Sequence, residues 1–353
     1  MVALLVSLSH TLFCFAFARY SVVPTITPLI LLGAVVGIGA KLVYDGYGGD
    51  GFEQAVDFAY LPFTALGVAI SLFLGFHNNA SYSRWWEART IWGTHIIDLR
   101  NLIRFLLSLN DSSVDTTTVS QTSVCQGEEE QHMTILSNNH PPTPTRQDWR
   151  HEIILLAMAH AHATRHQLRR GEPCPFDKGI SALHDRNRFL TTTQAKLADA
   201  SHNPANCILQ MAADIVGQQQ RHHLDPYTRV HLIKLIDRLC VAQTACERIE
   251  NTSLPFAYSL LVHRTSFFFV ILSPWAMVGE MGWWTPVFTA IVAYTFFGLD
   301  ELARQLQEPF RVDEPNALAL SAMCRTMEMD VCEAVPGREV PPKLVAGPDL
   351  VLM

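Results

Sequence analysis

The sequence of 353 residues has few charged side chains and none of the short motifs that mark the common catalytic sites. Asp, Glu, Lys and Arg make up 17% of it, which is well below the roughly 25% of ordinary soluble domains. A nucleophile elbow, a Walker-type phosphate-binding loop and an HExxH pair are all missing, so nothing indicates enzymatic chemistry. The eight cysteines form no CxxC pair, and we therefore predict neither a zinc site nor a disulfide framework.

The charge balance also lacks the features of a nucleic-acid-binding protein. The formal net charge is −7, and basic residues do not alternate with aromatic ones along any stripe. Hydrophobic residues are abundant instead, at 49%, and they are concentrated in long blocks. This distribution favours an integral membrane protein, for which we expect an all-α fold.

The most informative stretch runs from Phe58 to Arg89 and combines a spanning segment with a polar continuation. Its first nineteen residues, Phe58–Phe76, carry no charge and are long enough to cross a membrane as a helix at about 1.5 Å per residue. A polar run follows without a turn signal, and apolar residues continue to recur at helical spacing as far as Leu107. We expect one helix that lines a path across the membrane and extends into the cytoplasm.

Three further apolar blocks bring the predicted number of membrane spans to four. The spans cover about residues 26–43, 58–76, 256–278 and 283–299. Arginines lie near the ends of these spans on one side, whereas the two short loops on the other side contain only Lys41 among basic residues. The positive-inside rule therefore predicts a multi-pass protein of the cell membrane with both termini in the cytoplasm.

The remaining segments divide the chain into membrane and cytosolic parts. We expect an N-terminal interfacial segment at residues 1–25, although its first eighteen residues would also suit a cleaved leader, and a membrane part at 26–107. Residues 108–146 are dominated by Ser, Thr, Gln, Asn and Pro, which predicts a disordered cytoplasmic insertion. A cytosolic helical region at 147–252, a second membrane part at 253–300 and a cytosolic C-terminal helix and tail at 301–353 follow.

A stripe of apolar residues lies within the second span. Val68, Leu72 and Phe76 are four residues apart and share one side of the helix. In a symmetric oligomer such a stripe would form an apolar constriction that closes by dewetting. Taken alone, the spacing favours the simpler interpretation that these residues face lipid or a neighbouring helix. Arg84 and Arg89, just beyond the span, suit either a charged vestibule or anchoring at the membrane interface.

A group of three histidines is the best candidate for a metal site in the sequence. His160, His162 and His166 lie on one predicted helix, and the last two are four residues apart. No acidic residue occurs between Glu152 and Glu172, so a third ligand is missing. We interpret these histidines as a surface cluster and predict no metal and no cofactor.

The segment from Phe76 to Arg89, which is FHNNASYSRWWEAR and is followed by Trp92-Gly93, resembles the post-pore signature of bestrophin channels. The similarity is to the prokaryotic and fungal branch of that family. Later motifs agree in order and separation, namely Pro255–Tyr258, His263–Thr265, Gly282–Pro286, Ala293–Asp300 and Glu308–Phe310. Because these motifs are spread over most of the chain, the resemblance is specific.

The resemblance implies a homopentamer in the lipid bilayer, in which the second span of each subunit lines a narrow hydrophobic neck. On this match Val68, Leu72 and Phe76 are the neck residues. A second constriction, the cytosolic aperture, would lie on an apolar residue just after a helix-starting proline. That pattern indicates Ile208, with Ala205 as the alternative.

The vestibule beside the neck would be lined by five residues of the signature: His77, Asn78, Asn79, Arg84 and Arg89. His77 stands where the branch usually carries a basic residue, and a titratable imidazole there could make conduction depend on pH. The acidic calcium clasp of the animal members has no counterpart, so calcium gating is not expected.

The implied function is passive conduction of monovalent ions. Chloride is the first choice, because the family is known for anion permeation and because Arg84 and Arg89 flank the pore exit. Relatives that conduct cations make a sodium or potassium channel the alternative. A non-conducting membrane scaffold is the alternative from another class, and an enzyme is not expected. The predicted partners are further copies of the chain, lipid and permeant ions, without nucleic acid.

Overall fold

The structure is a computed structural model, and it describes residues 23–47, 50–109, 149–170, 182–219, 224–311, 314 and 316–344. All regular elements within these ranges are helices, as expected for an all-α protein. The α-helices are α1 (Val23–Tyr47), α2 (Asp50–Ser108), α3 (Trp149–Leu168), α4 (Ala182–Asn187), α5 (Thr192–Ala200), α6 (Pro204–Gln218), α7 (Pro226–Asn251), α8 (Phe256–Met281), α9 (Thr285–Gln307) and α10 (Leu320–Ala334). The expected interfacial segment up to residue 22, and the expected insertion from residue 110 to residue 146, lie outside the described residues.

The longest helix, α2, contains 59 residues and has no break after the apolar segment. At about 1.5 Å per residue it is about 90 Å long, roughly three times the thickness of a hydrocarbon core. The expected continuation as far as Leu107 is confirmed, because α2 ends at Ser108. One helix therefore connects the apolar helices with the rest of the molecule.

Two stretches of the described chain are long and apolar enough to cross a membrane, namely Thr25–Gly46 and Phe256–Gln307. The first lies in α1. The second contains α8 and α9, which pack against each other as a hairpin and are joined by a 3₁₀ turn at Gly282–Trp284. Gly282 follows α8 with a φ of 51°, a left-handed conformation that favours glycine.

The apolar helices approach one another closely at two glycines. Gly37 of α1 lies against the start of α9, where an added Cβ would be 2.9 Å from Pro286 Cα. Gly67 of α2 lies against α8, where an added Cβ would be 2.9 Å from the Phe269 ring. A larger residue would push α1 and α9 apart at position 37 and would displace the Phe269 ring at position 67, so these glycines permit the close packing of the layer.

A second layer, which we call the cytosolic core after the location predicted from the sequence, is built around α3, whose segment Ile153–Ala163 is buried. This helix contacts α2, α4, α6, α7 and α10. Asn203 caps α6 and Asp225 caps α7, each directly before a proline, which is favoured at the first helical position. The short helices α4 and α5 go beyond the sequence prediction, and α5 begins with a capping box formed by Thr191 and Gln194.

The interpretation of the α3 histidines as a surface cluster is wrong, because His160 and His162 are buried in the cytosolic core. His160 Nε2 is 3.0 Å from Gln243 Oε1. The centroids of the His160 ring and of the His95 ring on α2 are 5.3 Å apart. Burial lowers the pKa of His95 to about 3 and that of His160 to about 4. Within the described part of the chain, no three metal-binding side chains come together.

Acid should destabilise the cytosolic core through these neutral histidines. Unfolded histidine titrates near pH 6.5, so between pH 6.5 and about pH 4 the unfolded chain binds protons that the folded chain does not. Each such histidine lowers the free energy of unfolding by about 1.4 kcal/mol for each pH unit in this window. We expect His95→Leu to remove that contribution from the pH dependence of thermal unfolding, measured from about pH 7 to about pH 5.

The exposed His202 provides the matched control for this measurement. His202→Leu should leave the pH dependence of unfolding as it is in the parent protein. Equal pH dependence of the parent protein and the His95→Leu variant would contradict the assignment of a buried, neutral His95.

Candidate pore-lining site

The three predicted neck residues lie on an exposed side of α2. Val68, Leu72 and Phe76 are 59%, 59% and 64% exposed in the isolated subunit. Ile70 and Leu74, on the opposite side of the same turns, are 4% and 1% exposed and face the subunit interior. The helix is therefore apolar on both sides, and the subunit itself covers only one of them.

Polar residues continue this exposed side beyond Phe76. Asn79, Ser83, Thr90 and Thr94 follow at helical spacing, and all four are exposed. The Thr90 and Thr94 hydroxyls donate to backbone carbonyls one turn earlier, which leaves their lone pairs and methyl groups on the surface. The side of α2 thus changes from apolar to polar at Phe76. Ser83, Thr90 and Thr94 are missing from the sequence prediction, although extending the helical spacing from Phe76 would have found them.

His77 and Asn78 do not lie on this exposed side, and their contacts within the isolated subunit do not support the prediction that they line a vestibule. His77 is 2% exposed, with its Nε2 3.1 Å from Gln307 Nε2 and its ring edge against Tyr258. The Asn78 amide donates to the Leu299 carbonyl oxygen at 3.1 Å. Both side chains attach α2 to α8 and α9, and their contacts leave them facing the subunit rather than a passing ion.

Arg84 is also bound within the subunit instead of facing a vestibule. Its Nε donates to the Gln307 carbonyl oxygen at 2.6 Å, and its two terminal nitrogens donate to the carbonyl oxygens of Ile249 and Thr252. These three carbonyls belong to the C-terminal ends of α9 and α7, where carbonyl groups lack helical partners and a positive charge is favourable. We call this arrangement the Arg84 clamp.

The aromatic part of the signature has the same structural role. The Trp85 indole Nε1 donates to the Asn316 carbonyl oxygen at 2.9 Å, which attaches α2 to the segment before α10. Asn79 and Arg89 are the members of the predicted vestibule set that are exposed. For these two residues the vestibule assignment stays a prediction.

The residues predicted for the cytosolic aperture do not lie on the surface of the isolated subunit. Ile208 is fully buried within the cytosolic core, and the alternative, Ala205, is fully buried as well. A side chain enclosed by its own subunit cannot contact a permeating ion. The proline that begins α6 therefore starts a core helix, and the apolar residues after it contribute to packing.

These features define a class of protein: a helical membrane protein in which one long helix presents an uncovered apolar stripe and continues into a second layer of helices. Residues 6–333 match the family described as Bacterial/Fungal Bestrophin protein. The chain belongs to this bacterial and fungal bestrophin family, which confirms the resemblance found in the sequence. It is accordingly an ion channel embedded in a membrane rather than an enzyme.

Individual relatives agree with this assignment over most of their length. A voltage-dependent anion channel-forming protein of Mesorhizobium japonicum is 35% identical over 94% of this chain and 91% of its own. The voltage-dependent anion channel-forming protein YneE of Escherichia coli is 32% identical over 92% of this chain and 91% of its own. The crystal structure of a point mutant of a bacterial bestrophin homologue from Klebsiella pneumoniae has a TM-score of 0.70 at 30% identity, covering 88% of this chain and 98% of the homologue.

Removing the Arg84 clamp should lower the free energy of unfolding and have little effect on conduction. Arg84→Gln leaves three helix-end carbonyls without their charged donor, and we expect the free energy of unfolding to fall by about 2–4 kcal/mol. The exposed Arg89 is the control, since it is on the same helix and has no hydrogen bond or ion pair within the described residues. Arg89→Gln should change stability by less than about 0.5 kcal/mol. If Arg84→Gln leaves thermal unfolding unchanged but alters the single-channel current, the clamp assignment is contradicted and Arg84 belongs to the vestibule instead.

Proposed function

We propose that the protein is a homopentameric channel that conducts monovalent anions, chloride first, passively through a neck formed by Val68, Leu72 and Phe76. The observation that carries this proposal is the uncovered apolar stripe on α2, which continues as a polar stripe beyond Phe76. Large apolar side chains that are more than half exposed in an isolated subunit are usually shielded from water by a neighbouring molecule. A ring of identical subunits around an axis provides one and also creates a path for ions.

Four spans per subunit fit the arrangement of the helices. The α8–α9 hairpin and α1 supply three apolar helices, and the uncharged part of α2 packs among them as the fourth. At the outer end, Lys41 of α1 pairs with Asp45 at 2.5 Å and lies 5.9 Å from the centre of the Trp283 ring. The end of α1 is thus beside the turn of the hairpin, as four alternating spans with cytoplasmic termini require.

A groove beside the stripe supports assembly with further copies of the chain. It has a volume of about 600 Å³ and lies between α2, α8 and α9. Val68 and Leu72 border it on one side, and Phe269 and Phe296 border it on the other. An apolar helix from a neighbouring subunit that packs along the Phe269 and Phe296 side of this groove would bring five copies of α2 around a common axis and leave Val68 and Leu72 facing that axis.

The neck would control conduction through its lack of polar groups. Five copies each of Val68, Leu72 and Phe76 would offer an ion no replacement for its hydration shell. A narrow apolar ring of this kind excludes water unless it widens, so small movements of α2 would open or close the channel. Asn79, Ser83 and Thr90 would meet the ion after it leaves the neck.

The choice of anions rests on the relatives more than on the charges near the pore. Two relatives are named anion channel-forming proteins. Arg84, which the sequence suggests as a source of positive potential, is committed to the clamp, while Arg89 remains exposed. Glu87, four residues after Ser83 on the polar side of α2, forms an ion pair with Arg248. Of these three charged residues of α2, Arg89 is the one whose charge stays exposed without a partner within the described residues.

Ion selectivity can be measured on purified protein in planar bilayers under a KCl gradient. Selective anion conduction should move the reversal potential toward the chloride equilibrium potential. A reversal potential near that of potassium would favour the cation channel instead. Absence of current in protein of verified oligomeric state would contradict conduction and leave the non-conducting scaffold.

Shortening the neck side chains should raise the open probability, because a wider and less apolar ring is easier to hydrate. We expect this from Leu72→Ala and from Phe76→Ala in single-channel recordings. Phe268→Ala is the matched control, since Phe268 is 62% exposed but lies on α8. Gating that is unchanged by both neck variants, or changed equally by the Phe268 variant, would remove these residues from the gate.

A further inference from the structure

A small crevice lies between α2 and α7 in the cytosolic layer, beside the polar side of α2. Its volume is about 230 Å³. The lining residues are Thr90, Ile91, Thr94, Asp98, Arg238, Val241, Ala242 and Ala245. Because Thr90 and Thr94 also belong to the exposed stripe that continues from Phe76, the crevice opens on that surface of the subunit.

The crevice contains a buried carboxylate that lacks a hydrogen-bond donor. The Asp98 side chain is 3% exposed, and its Oδ1 has no hydrogen-bond partner within the described residues. Arg238 Nε is 3.4 Å from this oxygen without forming a hydrogen bond, and the Arg238 side chain is 60% exposed. Burial raises the pKa of Asp98, which Arg238 opposes. Burying a carboxylate oxygen without a hydrogen-bond donor costs free energy. A ligand that donates an N–H group to this oxygen would recover that cost.

The walls of the crevice restrict the kind of cation that would fit. Apart from Asp98 and Arg238, the walls are mainly the aliphatic side chains of Ile91 and Val241 and two alanines. Hard metal ions require about six oxygen ligands, and one carboxylate with two threonine hydroxyls falls well short. A primary ammonium needs one strong acceptor, and a short alkyl chain suits aliphatic walls. The volume admits only a small molecule.

We propose that this crevice binds a small organic amine as its alkylammonium ion. The ammonium donates to Asp98 Oδ1, the alkyl chain packs against Ile91 and Val241, and the Arg238 side chain moves further into solvent. Arg238 competes with the ligand for the same carboxylate. The site is formed within one subunit and requires neither conduction nor a particular ion selectivity.

The test measures binding of n-butylammonium to the purified full-length protein by titration calorimetry, with tetramethylammonium as a second probe. We expect saturable, millimolar binding of n-butylammonium only, because tetramethylammonium has no N–H group to donate. Asp98→Asn should weaken binding by about tenfold or more, since the new side chain has lost its charge. The control is Asp237→Asn, which makes the same charge change at an exposed position next to Arg238 and should leave binding unchanged.

A second variant keeps the test decisive if Asp98→Asn does not fold. Arg238→Gln removes the competing cation and should tighten n-butylammonium binding several-fold. The proposal is overturned if the parent protein does not bind n-butylammonium, if tetramethylammonium binds equally well, or if the Asp98 and Asp237 variants weaken binding equally. Unchanged or weaker binding by Arg238→Gln would overturn it as well.

Discussion

The Arg84 clamp is the interaction on which the two-layer arrangement depends. Apart from α2 itself, the described chain passes between the cytosolic and apolar layers at the end of α7 and at the end of α9. A single guanidinium on α2 holds both ends through the carbonyl oxygens of Ile249, Thr252 and Gln307. Planar geometry with several fixed donors makes arginine suited to this task, since a lysine ammonium could not reach three separated carbonyls in the same way. His77, Asn78 and Trp85 strengthen the same junction from neighbouring turns.

This junction leaves α2 with two distinct sides along its length. The inner side is fixed to the subunit, first by apolar packing through Ile70 and Leu74 and then by polar contacts from His77 onward. The outer side stays free and changes from apolar to polar at Phe76. The same helix therefore carries both the contacts that hold the two layers together and the side that is proposed to line the neck.

The cytosolic core buries polar side chains among its apolar ones. His95 of α2, His160 of α3 and Gln243 of α7 meet in an interior that keeps the imidazoles neutral. These three side chains meet only when each helix is rotated so that its polar residue faces the other two. The cluster therefore favours one arrangement of the three helices over others. The same layer holds the Asp98 crevice at its edge, where the polar group is left unsatisfied and open to a ligand.

Local sequence patterns determined most of the helices and the family. The continuation of α2 to Ser108, and the starts of α6 and α7 at Asn203-Pro204 and Asp225-Pro226, follow from periodicity and capping, which depend only on near neighbours. Only the tertiary structure decided which way individual side chains face. Arg84 is bound by carbonyls 165, 168 and 223 positions further along the chain, and no local pattern encodes those partners. Ile208 carries the pattern expected of an aperture but is enclosed by α3 and its neighbours, because burial is a property of the packed helices and not of the segment that contributes the residue.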